Sequence, residues 1–127
     1  MHKAMPSCAA RILIAVSLAA VASAPGVAGA STPSSTECTE GAEFIGNAAQ
    51  ARENGMSREA FIGQMQSDFE TIRAFPNELR WFVHDSADES FLLGAARDVF
   101  DRPEPPDLHR MAFFRACMSR LMVYVRV

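Results

Sequence analysis

Lysine is almost missing from this 127-residue chain: Lys3 is the only one, and the other basic residues are all arginine. Histidine is as scarce, at three residues (His2, His84 and His109), and no two stand close enough in sequence to ligate together. A structural zinc site takes four ligands and a catalytic one three, so this supply excludes the common metal centres. The three cysteines include no Cys-x-x-Cys pair, which removes thiol redox motifs and zinc knuckles. There is no Gly-x-Ser-x-Gly elbow, no phosphate-cradling glycine loop and no His-Glu-x-x-His. Fifteen acids against twelve basic residues give a net charge of −3, without the basic footprint that nucleic acid or an anionic membrane surface requires. His84, Asp85 and Ser86 are adjacent, so their side chains diverge rather than converge on a reacting atom. Glu40 and Glu53 fall on a helix surface, where acids are ordinarily solvated. The expectation is a protein that is not an enzyme, with no catalytic, metal-binding or cofactor-binding residues.

What the chain does have begins with a leader. Lys3 and Arg11 precede an apolar run of about eleven residues, Ile12 to Ala22, followed by Pro25-Gly26 and the small residues Ala28-Gly29-Ala30. The run is too short for the roughly 20 residues of a membrane span and has the layout of a signal peptide cleaved after Ala30. Residues 1–30 are thus read as leader and 31–127 as one domain, with a core at about 35–120 and a tail at 121–127. Cleavage removes Lys3 and Arg11 and leaves ten arginines against fifteen acids, a net charge of about −5. Cys8 goes with the leader. Cys38 and Cys117 remain, and two cysteines in an exported chain of this size most simply form one disulfide. Its loop of about 80 residues is worth roughly 4–5 kcal/mol on the chain-entropy model.

Helical periodicity runs through the mature part. Ser34 and Glu37 have capping-box spacing, and Cys38, Ala42, Ile45 and Ala49 form a small-residue stripe behind them. This first helix is expected at the centre of the bundle, ending at an Asn54-Gly55 cap. Ser57 caps the second helix, with Met56 and Phe61 placed as a staple; Phe61, Ile62, Met65, Phe69 and Ile72 make its apolar face. The short connection predicts an antiparallel hairpin of these two helices. Pro76 ends the second helix near Ala74. Leu79, Phe82 and Val83 suggest a short third helix, and Ser86 with Glu89 a capped fourth along Leu92, Leu93, Ala96, Val99 and Phe100. The segment 77–100 is either one helix or two, and the His84-Asp85-Ser86 break favours two. After the proline-rich linker Asp101–Pro106, a last helix starting at Asp107 carries Leu108, Met111, Phe114 and Met118 on one face, with Phe113 and Cys117 on an adjoining strip. Residues 121–127 alternate β-branched and larger side chains, a strand signal, but an isolated strand is marginal, so the segment is read as a frayed tail or helix extension, with pairing to another copy as the alternative.

With Cys38, the turn Arg52-x-x-Gly55-x-Ser57, the segment Val99-Phe100-Asp101-Arg102-Pro103 and Cys117 in place, the chain resembles an uncharacterised family of small exported proteobacterial proteins. Those proteins carry a cysteine at each end of the domain and usually a tyrosine where this chain has Phe100. The resemblance spans about Cys38 to Cys117. It implies an all-α, disulfide-closed bundle of four to five short helices and supplies no active site.

The function expected is therefore that of a periplasmic or secreted helical module that binds another protein, of the kind an immunity or inhibitor protein represents. An acid-responsive periplasmic chaperone is the alternative, since neutralising fifteen carboxylates would leave about ten arginines in mutual repulsion. Trp81, off the Leu79/Phe82/Val83 face, and Tyr124 in the tail are the candidate interaction residues. No nucleic acid, no membrane span after cleavage and no cofactor are expected.

Overall fold

The structure, a computed structural model, describes residues 34–125, the side chains of 124 and 125 excepted. The expected leader lies outside the described residues. Among the described residues the fold has four α-helices, α1 (Ser35–Glu53), α2 (Arg58–Arg73), α3 (Ser86–Asp101) and α4 (Pro106–Val125), with a 3-10 turn at Asn77–Leu79. It is an all-α bundle, closed by a disulfide between Cys38 and Cys117 whose Cα atoms are 5.6 Å apart. Both cysteines are buried.

Local chemistry sets the ends of the first two helices. Ser34 Oγ accepts from the Glu37 N–H at 3.1 Å while Glu37 Oε2 accepts from the Ser34 N–H at 2.9 Å, a reciprocal capping box. At the other end Gly55, at φ +95°, lets the chain reverse; its N–H bonds to the Arg52 carbonyl and that of Met56 to the Ala51 carbonyl. This is the glycine-terminated end that satisfies the last carbonyls of a helix. Ser57 then caps α2, accepting from the Ala60 N–H.

α1 is central, packed most closely against α4 and then α3. Its small-residue face explains the closeness. A Cβ placed on Gly41 would lie 2.6 Å from Phe113 Cε1 and 3.1 Å from Phe82 Cε2, both rings being buried. On Gly46 it would lie 2.6 Å from the end of the Arg110 side chain, which can swing away. Gly41→Ala should therefore cost about 1–3 kcal/mol by overpacking. Gly46→Ala should be neutral or stabilising by up to about 1 kcal/mol through helix propensity. Urea unfolding midpoints of the two variants moving by equal amounts would contradict this packing.

The second helix runs back along α1, with Phe44 and Phe61 5.9 Å apart, but its principal neighbour is α3. Arg58 pairs with Asp101 at one end and Arg73 makes a two-pronged pair with Glu89 at the other, so α2 and α3 are antiparallel. The expected α1–α2 hairpin is thus opened so that α3 can share both helices, and Phe61 also packs on Phe100.

Three local expectations change. The short third helix reduces to the 3-10 turn, with Leu79 exposed and Phe82 and Val83 buried by an irregular segment instead. Phe82 itself adopts φ +55°, in a tight turn where the Val83 N–H meets the Trp81 carbonyl. The cap of α3 is Asp85, not Ser86: Asp85 Oδ1 accepts from the Asp88 N–H at 2.8 Å, which frees Glu89 for Arg73. The last helix begins at Pro106, one residue before Asp107, whose carboxylate bridges to Arg110 instead of capping.

As far as Val125 the tail takes the helix-extension reading and not the strand, because α4 continues through it. Adding residues to an existing helix gains a backbone bond per residue without a new nucleus, whereas a lone strand gains none. Leu121 packs against the core along this extension.

Arg52 joins the two sequence motifs into one unit. Its guanidinium donates to the carbonyls of Val99, Arg102 and Glu104, across 47 to 52 residues, and so satisfies the end of α3 and the proline-rich linker together. Lysine offers a single point charge in place of the planar fork. Arg52→Lys should lower stability by about 1–2 kcal/mol, read as a shift of the urea midpoint; an unchanged midpoint would contradict the clamp.

Candidate docking face on the last helix

The burial pattern of α4 defines its two sides. His109, Phe113 and Cys117, each four residues apart, are buried, and the disulfide holds this stripe against α1. The apolar face read from periodicity lies elsewhere on the helix and points largely outward: Leu108 and Met111 are each 50% exposed and Phe114 is 39% exposed. Met122 and Val123, further along, are exposed at 69% and 65%. Leu108, Met111, Arg115, Met118 and Met122 follow the alternating three- and four-residue spacing of a helix–helix seam, apolar at every position but Arg115. Arg115 has no ion pair among the described residues. Beside the seam, Met111, Phe114 and Arg110 form with Thr39, Ala42 and Glu43 of α1 a shallow groove of about 240 Å³.

The signal for this register was available in Cys117. A disulfide-bonded cysteine must face the core, and helical spacing then places Phe113 and His109 inward and Met111 and Met122 outward. Apolarity alone could not choose, because both sides of α4 are apolar.

Of the two residues singled out for interaction, Trp81 is half-buried. Its ring leans on Phe44 at 5.9 Å and Phe82 at 5.7 Å, and its Nε1–H donates to Glu40 Oε2 at 2.6 Å. It closes the rim of the core and is no free anchor. Tyr124 lies in the last turn of α4, its side chain outside the described set.

His84 does not join Asp85 and Ser86. Its Nε2 faces Glu37 Oε1 at 2.9 Å and its Nδ1 faces Asn77 Oδ1 at 3.1 Å, tying the segment before α3 to the first turn of α1. Burial pushes the Glu37 carboxyl up, but the Ser34 N–H, the His84 ring and the Phe82 N–H together outweigh it and hold its pKa below the usual glutamate value. Among the described residues no serine, threonine or cysteine bonds to either imidazole in 84 or 109. Among the same residues no group of three or more His, Cys, Asp or Glu side chains could hold a metal ion, and no helix is long and apolar enough to cross a membrane.

The fold and this face define a disulfide-closed helical protein, and a buried structural disulfide belongs to an oxidising compartment outside the cytoplasm. No family model matches the chain, and neither a curated protein nor a solved structure matches it.

Proposed function

We propose that the protein is a non-enzymatic periplasmic or secreted module that binds another protein through the outward face of α4. The observation that carries this reading is the apolar seam of Leu108, Met111 and Met122, each at least half exposed, with Met118 partly buried between them, on a helix whose opposite side is already locked to α1. Exposed methionine and leucine at helix–helix spacing gain free energy by burial against an apolar partner surface, and methionine adapts to its shape. Arg115 in the middle of the seam selects for a carboxylate on that partner. An immunity or inhibitor role belongs to this class. The resemblance to small exported helical proteins with paired cysteines agrees with it but adds no partner.

The test is a photo-crosslinking residue placed at Met111 or Met122, and as control at Glu59 or Glu70 on the exposed side of α2. Exported protein should give one discrete adduct from the α4 positions and none from α2. Adducts of equal yield from both helices, or none from α4, would overturn the reading.

A further inference from the structure

α3 and α4 both rest on α1 but touch each other chiefly at their ends. At one end Arg120 reaches Asp88 and Phe91 meets Phe113, with ring centroids 5.3 Å apart; at the other, His109 of α4 meets the carbonyl of Arg102 that follows α3. Between these ends lies a groove of about 520 Å³. Its walls are small residues, Gly94 and Ala95 on α3 and Ala112 and Ala116 on α4. Ile45, Phe91 and Phe113 supply larger apolar surface. A Cβ on Gly94 would meet nothing within 4 Å, so close packing does not require glycine there, although glycine inside a helix weakens it.

A second feature belongs to the same groove. His109 is 4% exposed and lines it. Nε2 lies 2.8 Å from the Arg102 carbonyl oxygen, which can only accept, so Nε2 carries the proton. In the neutral ring Nδ1 is then a lone-pair acceptor, and it has no partner among the described residues. Asp98 lines the same end, and its charge is already matched by Arg102, whose Nε donates to Asp98 Oδ1 at 2.9 Å. The polar end thus offers acceptors to a donor and no net charge to an ion.

We infer that this groove binds a small, elongated, uncharged apolar molecule bearing one hydrogen-bond-donating group, such as a hydroxyl, which reaches His109 Nδ1 while the apolar body lies along Gly94, Ala95, Ala112 and Ala116. The volume lies within the range of small-molecule sites, which join an apolar lining to a few placed polar groups. The site is separate from the seam of Leu108, Met111 and Met122, which α4 carries on another side, and does not depend on the function proposed above.

Amide chemical shifts of the intact disulfide-bonded protein, titrated with three eight-carbon probes, test the assignment. 1-Octanol should shift Gly94, Ala95, Ala112 and Ala116 saturably. 1-Methoxyheptane, its isomer without a donor, should bind about fivefold more weakly, the worth of one net hydrogen bond. Octanoate should bind about tenfold more weakly or worse, having to shed hydration from its charge. Ala112→Leu combined with Ala116→Leu fills the groove with good helix formers and should abolish the octanol shifts while the thermal midpoint holds. His109→Phe should bring the alcohol-to-ether affinity ratio to about one. The inference is overturned if octanol gives no saturable shift, if its shifts centre on Met111 and Met122, or if the ether or octanoate binds as well as the alcohol. It is equally overturned if the filled variant keeps its affinity.

Discussion

Replacing Cys38 and Cys117 together by alanine lowers the free energy of unfolding by about 4–5 kcal/mol, the largest effect expected of any change in this chain. The two sulfurs close a loop with a sequence separation of 79 residues, so the bond removes much of the freedom of the unfolded chain. Domains of this size have total stabilities of about 5–15 kcal/mol, so the variant retains a fraction of its stability or none at 37 °C. With about 4–8 °C of thermal midpoint per kcal/mol, the loss reads as roughly 20–30 °C by circular dichroism. Both cysteines are buried, so a mild reductant acts only as fast as the domain opens and native protein should resist thiol labelling. A midpoint fall under about 5 °C would show that packing of α1 on α4 holds without the bond. Labelling of two thiols in untreated exported protein would show that the bond is not formed.

That bond also explains how legible the fold was. The helix ends at Ser34, Gly55 and Ser57 are written in neighbouring residues, because caps and reversals satisfy backbone groups only three to five residues away. The α1 stripe through Cys38, Ala42, Ile45 and Ala49 was legible for a similar reason, one face of that helix being both small and continuous. α4 differs. Its apolar residues surround most of the helix, and periodicity cannot decide which side is inward when both qualify. The outward side, Leu108, Met111 and Phe114, is as apolar as the buried stripe, so composition alone does not mark it as a docking face. The strand signal of the tail is outweighed by its context: β-branched Val123 and Val125 favour strands only where a strand partner exists, and here the helix before them extends.

Long-range polar contacts were the least legible. Arg52 reads locally as part of a turn, but its partners are carbonyls 47 to 52 residues away. Phe82 at φ +55° leaves no trace in sequence, since nothing marks a phenylalanine that must enter the left-handed region. Glu37 Oε1 accepts from the Phe82 N–H and faces His84 Nε2, contacts that fix that segment across 45 and 47 residues. Trp81, off the Leu79/Phe82/Val83 face, packs at the rim of the core, and its partner Glu40 stands 41 residues away in sequence. His109 looked like an isolated histidine because its groove is built from two helices and the floor of a third.

Asp88→Ala should destabilise the protein by about 3–5 kcal/mol, the usual consequence of removing one member of a buried ion pair. Asp88 is 1% exposed and sits in the first turn of α3, where three residues after the Asp85 cap it would read as an ordinary surface acid. Its Oδ1 accepts from Arg120 Nη2 at 2.8 Å and its Oδ2 from the His84 N–H at 3.1 Å. Arg120 also lies over the Phe91 ring, 4.4 Å from its centroid, and its Nη1 is buried without a partner. Alanine would leave this guanidinium and the His84 N–H unmatched at once. Asparagine keeps an acceptor and should cost only about 1 kcal/mol. Leucine at 88 with methionine at 120 removes both charges and should cost less than Asp88→Ala, about 1–3 kcal/mol, because only the His84 N–H is then left without its acceptor. The pH dependence separates this from simple cavity formation. Burial raises the Asp88 pKa, and the Arg120 and His84 hydrogen bonds offset it only in part. With the folded value above the unfolded one, the folded state binds the extra proton. The contribution is therefore fully present below about pH 4 and is lost as pH rises through the folded pKa. Glu37 acts in the opposite sense: its lowered pKa gives stability above the usual glutamate value that is lost as pH falls through the folded one. Unfolding curves between pH 3 and 7 should accordingly fall less steeply, or rise more, with increasing pH in Asp88→Asn than in the wild type. Identical slopes in the two proteins, or a loss under about 1 kcal/mol in Asp88→Ala, would remove Asp88 from the set of residues that hold α3 to α4.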